Sequence, residues 1–227
     1  MMKRVVWLFL FALLAVGAQA QINKPLKREL DSLYALDQKY RALTSGKRDS
    51  ALTDSLAKVY HVSPTDVSAH LWKLQNEADS ASLKRVEAII KQYGYPGKTL
   101  VGEPTNQAAF FILQHSNKIG QYIDVVKTAA EKHELPFARY AMMQDRWLMY
   151  NNEPQVYGTQ LKGMNIKNPE TGKVAWKFFI WPIADPQNVN QRRQQAGIEK
   201  TIEEYARGVG LTYKAYTLDD VKSGKIE

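Results

Sequence analysis

Cysteine is absent from all 227 residues. That absence excludes disulfides, thiolate zinc sites, iron–sulfur clusters and cysteine nucleophiles together. Histidine is scarce, with four in the chain, and none has a second histidine at a metal-binding spacing on its helix. The side chains leave open only an all-oxygen metal site from Asp37, Asp79 and Asp145, and neither metal nor cofactor is expected. Several catalytic signatures are missing as well. There is no Gly-x-Ser-x-Gly elbow, no His-Glu-x-x-His, no complete Gly-x-x-x-x-Gly-Lys-Ser/Thr phosphate loop and no Gly-x-Gly-x-x-Gly. Long hydrophobic runs are limited to residues 5–16, shorter than the roughly 20 residues a helix needs to cross a bilayer.

That run follows Lys3 and Arg4 and precedes Ala18-Gln19-Ala20, so residues 1–20 read as a cleavable secretory signal and the mature chain begins at Gln21. No thiol follows to carry a lipid. The expectation is an exported protein, periplasmic or extracellular, not a lipoprotein and without a membrane span. The formal charge of +8 falls to +6 once Lys3 and Arg4 are removed. Acids and bases are interleaved, as on solvated helix faces, so nucleic acid is not an expected partner.

The remaining length suffices for one domain with an unstapled core. Residues 24–43 carry Leu26, Leu30, Leu33, Leu36, Tyr40 and Leu43 at steps of three and four, the period of a helix with one buried stripe. Residues 44–50 form a polar break, and 52–60 a shorter amphipathic helix. Ser63 and Pro64 look like an N-cap and first helical residue, opening a long helix, kinked near Ser80, that Gly94 and Pro96 stop before a loop. Residues 104–116, 120–133 and 137–150 read as three further helices. Beyond Pro154 the apolar period becomes two, over 156–161 and again over 174–180, which predicts a β-hairpin. Helices over 187–195 and 198–208 close the fold. The reading is mainly α: a signal at 1–20, then a single helical domain over 21–210, with an N-terminal extension (21–62), a helical core (63–152), a hairpin (153–182) and C-terminal helices (183–210). A peripheral tail over 211–227 follows.

The informative anomalies are polar side chains inside apolar stripes. Asp145 points where Ala141, Met142, Leu148 and Met149 point, so a carboxylate faces the core. There it needs cations, donated hydrogen bonds or its own proton, and Arg146, Arg192 and Arg193 are the available guanidiniums. Gln107, Phe111 and Gln114 share a helix face, with His115 adjoining. Asp37 lies between Leu33 and Tyr40 with Arg41 one turn on, and Gln75 and Asp79 interrupt the long helix's stripe. Each has a plain structural reading: ion pairing, capping or bonds to loop backbone. Gly158 interrupts the alternating segment, where a missing side chain weakens the strand unless another backbone or a ligand comes close.

The strings at residues 91–98 (KQYGYPGK), 107–109 (QAA), 114–116 (QHS), 143–146 (MQDR), 155–160 (QVYGTQ) and 185–193 (DPQNVNQRR), with Asp37-Gln38 and Gln75-Asn76, form an ordered set. In that set the chain resembles a family of bacterial proteins known as a domain of unknown function, over residues 26–205. The resemblance implies no activity. It does imply that His115, Asp145, Arg146, Tyr157, Gln160, Asp185, Arg192 and Arg193 fall within the family's motifs.

Three readings follow. The first is a pocket for a small or extended polar or anionic ligand, with Arg146, Arg192 and Arg193 as cationic donors and Gln107, Gln114, Tyr157 and Gln160 shaping selectivity. The second is a cofactor-free hydrolase or lyase with His115 as general acid or base, oriented by Asp145. The third is a cell-envelope interaction module, favoured if Trp176, Phe179 and Trp181 are exposed.

Overall fold

The computed structural model describes residues 21–44 and 48–226. The secretory signal expected over 1–20 lies outside the described residues. Helix α1 (Lys24–Thr44) buries Leu26 and Leu30. Helix α2 (Ser50–Tyr60) starts at Asp49, whose side chain accepts from the Leu52 N–H at 2.7 Å, and ends at His61 in the left-handed conformation. Helix α3 (Val67–Tyr93) is 27 residues long, about 40 Å at 1.5 Å per residue. Ser63 and Pro64 precede it in a turn, and it runs unbroken through Ser80. Where a loop is expected after Gly94, the chain inserts α4 (Lys98–Val101) and a single 3-10 turn over Thr105–Gln107. Then come α5 (Ala108–Gln114), α6 (Ile119–Glu131) and α7 (Phe137–Tyr150).

The main core is built by these helices. Leu26 and Leu30 of α1, Val86 and Ile89 of α3, Phe110 and Leu113 of α5, Val126 of α6 and Met143 of α7 meet in one cluster. Each such side chain contributes roughly 1.5–3 kcal/mol by leaving water. Helix α1 is therefore integral to the core, packed on both α3 and α5. A second cluster joins α2 to the start of α3 through Leu56, Val67 and Leu71.

The C-terminal part is a two-stranded antiparallel hairpin, β1 (Leu161–Lys167) and β2 (Val174–Ile180), with Leu161 opposite Ile180 and Lys167 opposite Val174. Its first strand begins where the expected one ends. Residues 156–160 form an irregular loop, because their backbone donors are taken by a side chain of α7. Helices α8 (Val189–Gln195) and α9 (Ile202–Gly208) follow, and Thr201 with Glu204 forms a reciprocal cap on α9. The segment after Gly210, expected to be peripheral, contains α10 (Leu218–Ser223) and buries Ile226 against Met149, Ile166, Phe179 and Trp181. Among the described residues no helix is long and apolar enough to cross a membrane.

Candidate functional site

Two polar assemblies occupy the buried faces, and they divide the residues singled out above. The first surrounds Asp145, which is wholly buried. One carboxylate oxygen accepts from the backbone N–H groups of Val156 (2.7 Å) and Tyr157 (3.0 Å). The other accepts from the Thr159 N–H and its hydroxyl, each at 2.9 Å. Burial pushes this carboxyl above its ordinary pKa, while the donors from Tyr157, Thr159 and Val156 pull it back. The loop's carbonyls are held from the other side. Arg192 donates to Val156 O at 3.0 Å and to Asp185, and Arg193 donates to Tyr157 O at 2.8 Å and Lys200 O at 2.6 Å. Gln155, fully buried, closes the loop by donating to Gln160 O and Trp181 O and accepting from the Gln160 N–H. Gly158 has φ of +68°, and a Cβ there would lie 2.6 Å from Ile202. The close approach at this glycine is by the side chains of Ile202 and Ile183, where a backbone or a ligand was expected.

The groups of this loop named as ligand contacts are engaged in holding it. Arg192 and Arg193 bind loop carbonyls, the Tyr157 backbone is bonded on both sides, and Gln160 accepts from Arg146 at 3.0 Å and donates to Met142 O at 3.3 Å. Asp145 is also not the group that orients His115, because both its oxygens are filled by the loop.

The second assembly lies where α1, α3 and α5 meet. His115 Nδ1 is 3.0 Å from Asp37 Oδ1, 78 residues earlier in the chain. Arg41 donates to the same oxygen at 3.2 Å and to Asp79 at 2.5 Å, while Gln38 donates to Asp37 Oδ2 at 2.6 Å and Gln75 donates to Asp79 at 2.7 Å. Burial pushes the Asp37 carboxyl up, but the hydrogen bond and charge of His115, with Arg41, outweigh it and hold its pKa below the ordinary value. Gln75 Oε1 and Gln114 Oε1 are sealed from solvent without a hydrogen-bond partner. Arg146 reaches this junction from α7 and donates to the Gln114 carbonyl at 3.2 Å. Burial lowers its pKa, and Arg41 is near enough for its like charge to add to that.

Asp37, Asp79 and Asp145, the all-oxygen set that the sequence left open, do not converge. Arg41 bridges the first two and the loop encloses the third, and no group of three or more His, Asp or Glu among the described residues is placed to hold a metal ion.

Helix α5 connects this junction to a cavity. Within residues 107–115 every side chain is buried except Gln107, Phe111 and His115, which are partly open at steps of four. Gln107 and Phe111 line a cavity of about 290 Å³, together with Asp31 and Tyr34 of α1, Thr105 and Arg139 of α7. Arg139 donates to Gln107 Oε1 at 2.7 Å, and its guanidinium lies 5.0 Å from the Phe111 ring centre. Among the described residues it has no carboxylate partner, since Asp31 is bonded to Lys27 and Thr105. Burial lowers its pKa, yet arginine remains charged at any ordinary pH.

Sequence reasoning therefore found Gln107, Gln114, His115 and Arg146 but missed Arg139 and Tyr34. A signal existed. Arg139 precedes Arg146 by seven residues, two helical turns, so both sit on the α7 face turned toward α5. On the hairpin, Trp176 is exposed as the interaction reading requires, whereas Phe179 and Trp181 are buried.

The molecule is thus a mainly helical domain with a C-terminal hairpin and a cavity between α1, α5 and α7. The chain belongs to the Family of unknown function (DUF6624), which matches residues 35–221. No curated protein and no solved structure matches it.

Proposed function

We propose that this protein binds a small anionic ligand in the cavity lined by Tyr34, Gln107 and Phe111, with Arg139 as the group that holds the anion. The carrying observation is the Arg139 guanidinium itself: half-buried, stacked on Phe111, lining the cavity and lacking a carboxylate partner among the described residues. A desolvated cation gains most from an anion that can accept two of its N–H groups, and carboxylates and phosphates have that geometry. Tyr34 and Phe111, with ring centres 5.1 Å apart, supply an apolar wall, and Gln107 supplies an amide already oriented by Arg139. The pocket proposed from the sequence accordingly contracts from the Arg192 and Arg193 region to the α1, α5 and α7 side.

Titration calorimetry with succinate, glutarate, adipate and inorganic phosphate tests this reading. The expected result is saturable binding of at least one of them, weakened at least about tenfold, or 1.4 kcal/mol, in Arg139→Gln. Binding that Arg139→Gln leaves unchanged, or none of the four bound, overturns it.

We also propose that the chain is exported and processed before Gln21, as Lys3, Arg4, the apolar run and Ala18-x-Ala20 suggest. N-terminal sequencing of the protein made with its leader in a bacterial host should read Gln-Ile-Asn-Lys. An intact Met1 overturns it.

A further inference from the structure

His115 is one helical turn beyond Phe111 on the partly open stripe of α5, about 6 Å along the axis at 1.5 Å per residue. Among the described residues its side chain has one hydrogen bond, from Nδ1 to Asp37. A carboxylate can only accept, so Nδ1 carries the hydrogen and, in the neutral imidazole, the lone pair is on Nε2. Nε2 has no hydrogen-bond partner among the described residues, and it is not among the buried unpartnered atoms, so solvent reaches it. Asp37 is 1% exposed; Arg41 shares the oxygen that His115 meets and Gln38 holds the other, which fixes the carboxylate and through it the ring. His115 does not line the cavity itself but is partly open to solvent beside it, and a buried acid orienting an imidazole whose other nitrogen is free is the arrangement of a general base.

We infer that the cavity and the adjoining open face at His115 together form a hydrolytic site for esters that carry a carboxylate: His115 is the catalytic base toward water, Asp37 is its positioning residue and Arg139 holds the substrate's anion. The inference rests on the binding reading above. No hydroxyl side chain among the described residues is bonded to Nε2, so the attacking oxygen comes from water. Nε2 takes one proton from that water as its oxygen bonds to the ester carbonyl carbon. The tetrahedral centre then breaks its bond to the alkoxy oxygen, which receives the proton from Nε2. An alcohol and a carboxylic acid leave, the acid ionises, and nothing is oxidised or reduced. The separation of Arg139 from His115 along α5, roughly one to two turns or 5–11 Å, calls for a substrate whose anion and ester are several bonds apart.

The test uses p-nitrophenyl monoesters of succinate, glutarate, adipate and suberate, with p-nitrophenyl acetate as the neutral comparison and free imidazole as background. Turnover of one anionic ester should exceed that of the acetate by at least about tenfold in kcat/KM, and His115→Gln should lower its kcat about 100-fold or more with KM little changed. Arg139→Gln should instead raise KM for the anionic ester alone. Asp37→Asn should lower kcat about tenfold or more without a matching change in KM, and Asp37→Glu should recover part of it. If Asp37→Asn does not fold, His115→Gln, checked by circular dichroism, decides. Dicarboxylates that bind while cleavage is absent or indifferent to His115→Gln overturn the hydrolytic reading and leave the binding one standing. His115-dependent cleavage that Arg139→Gln leaves unchanged overturns the assignment of Arg139 and the binding reading with it, while the dyad stands.

Discussion

Two aspartates are buried almost completely, and their surroundings differ in kind. Asp145 is surrounded by donors from one short loop, three backbone N–H groups and the Thr159 hydroxyl, and its effect is to give that loop a single shape. Asp37 is surrounded by side chains, Gln38, Arg41 and His115, and the last of these is partly open to solvent. Backbone donors cannot change charge or move far, so a carboxylate they surround is a structural clamp. Ionisable side-chain donors can transfer protons. The same residue type at the same burial therefore does different work according to what donates to it.

The largest expected effect comes from breaking the clamp. Asp145→Ala leaves the N–H groups of Val156, Tyr157 and Thr159 without an acceptor. It should destabilise the fold by about 3–5 kcal/mol in urea unfolding, the range for removing one member of a buried charged set. A loss below about 1 kcal/mol would erase the distinction drawn between the two aspartates.

Asp37→Asn is the intermediate case, at about 1–3 kcal/mol near pH 7. Its pH dependence separates it further. The folded pKa of Asp37 is depressed, so its contribution is complete above the unfolded value near 3.9 and is lost as pH falls through the folded one. Asp145 has the opposite sign, because burial raises its folded pKa: its contribution is present below the unfolded value and is lost as pH rises through the folded one. Unfolding free energies measured from about pH 2 upward should therefore fall less steeply on acidification in Asp37→Asn than in the wild type. An unchanged acid slope would show that Asp37 is not held ionised by its neighbours.

The smallest effect on stability belongs to Arg139→Gln, within about 1 kcal/mol, because no acid is left unpaired and a desolvated cation is removed. Its effect should fall on ligand affinity. A stability loss as large as that of Asp145→Ala would make Arg139 a second clamp.

Most of the helical fold is legible from periodicity, since Leu26, Leu30 and Leu33 or Leu71, Val86 and Ile90 need only a 3.6-residue period to declare a face. The displacement of β1 from residues 156–161 to Leu161–Lys167 was not, because alternation in 156–160 is outweighed by a carboxylate from another element. His115, Asp37 and Asp145 were each visible as polar groups in apolar surroundings. Their partners were not.

By itself the sequence determined the element types, the absence of thiol chemistry, the short apolar run that follows Lys3 and Arg4, and the identity of the polar side chains turned inward. These depend on local spacing and composition. Only the tertiary structure decided which donor meets which acceptor: that His115 joins Asp37 across 78 residues, that Asp145 binds backbone amides, and that Arg139 lines a cavity with no carboxylate bonded to it among the described residues. Backbone N–H groups look alike in every residue but proline, and no helical period records which neighbouring helix lies beside a given face.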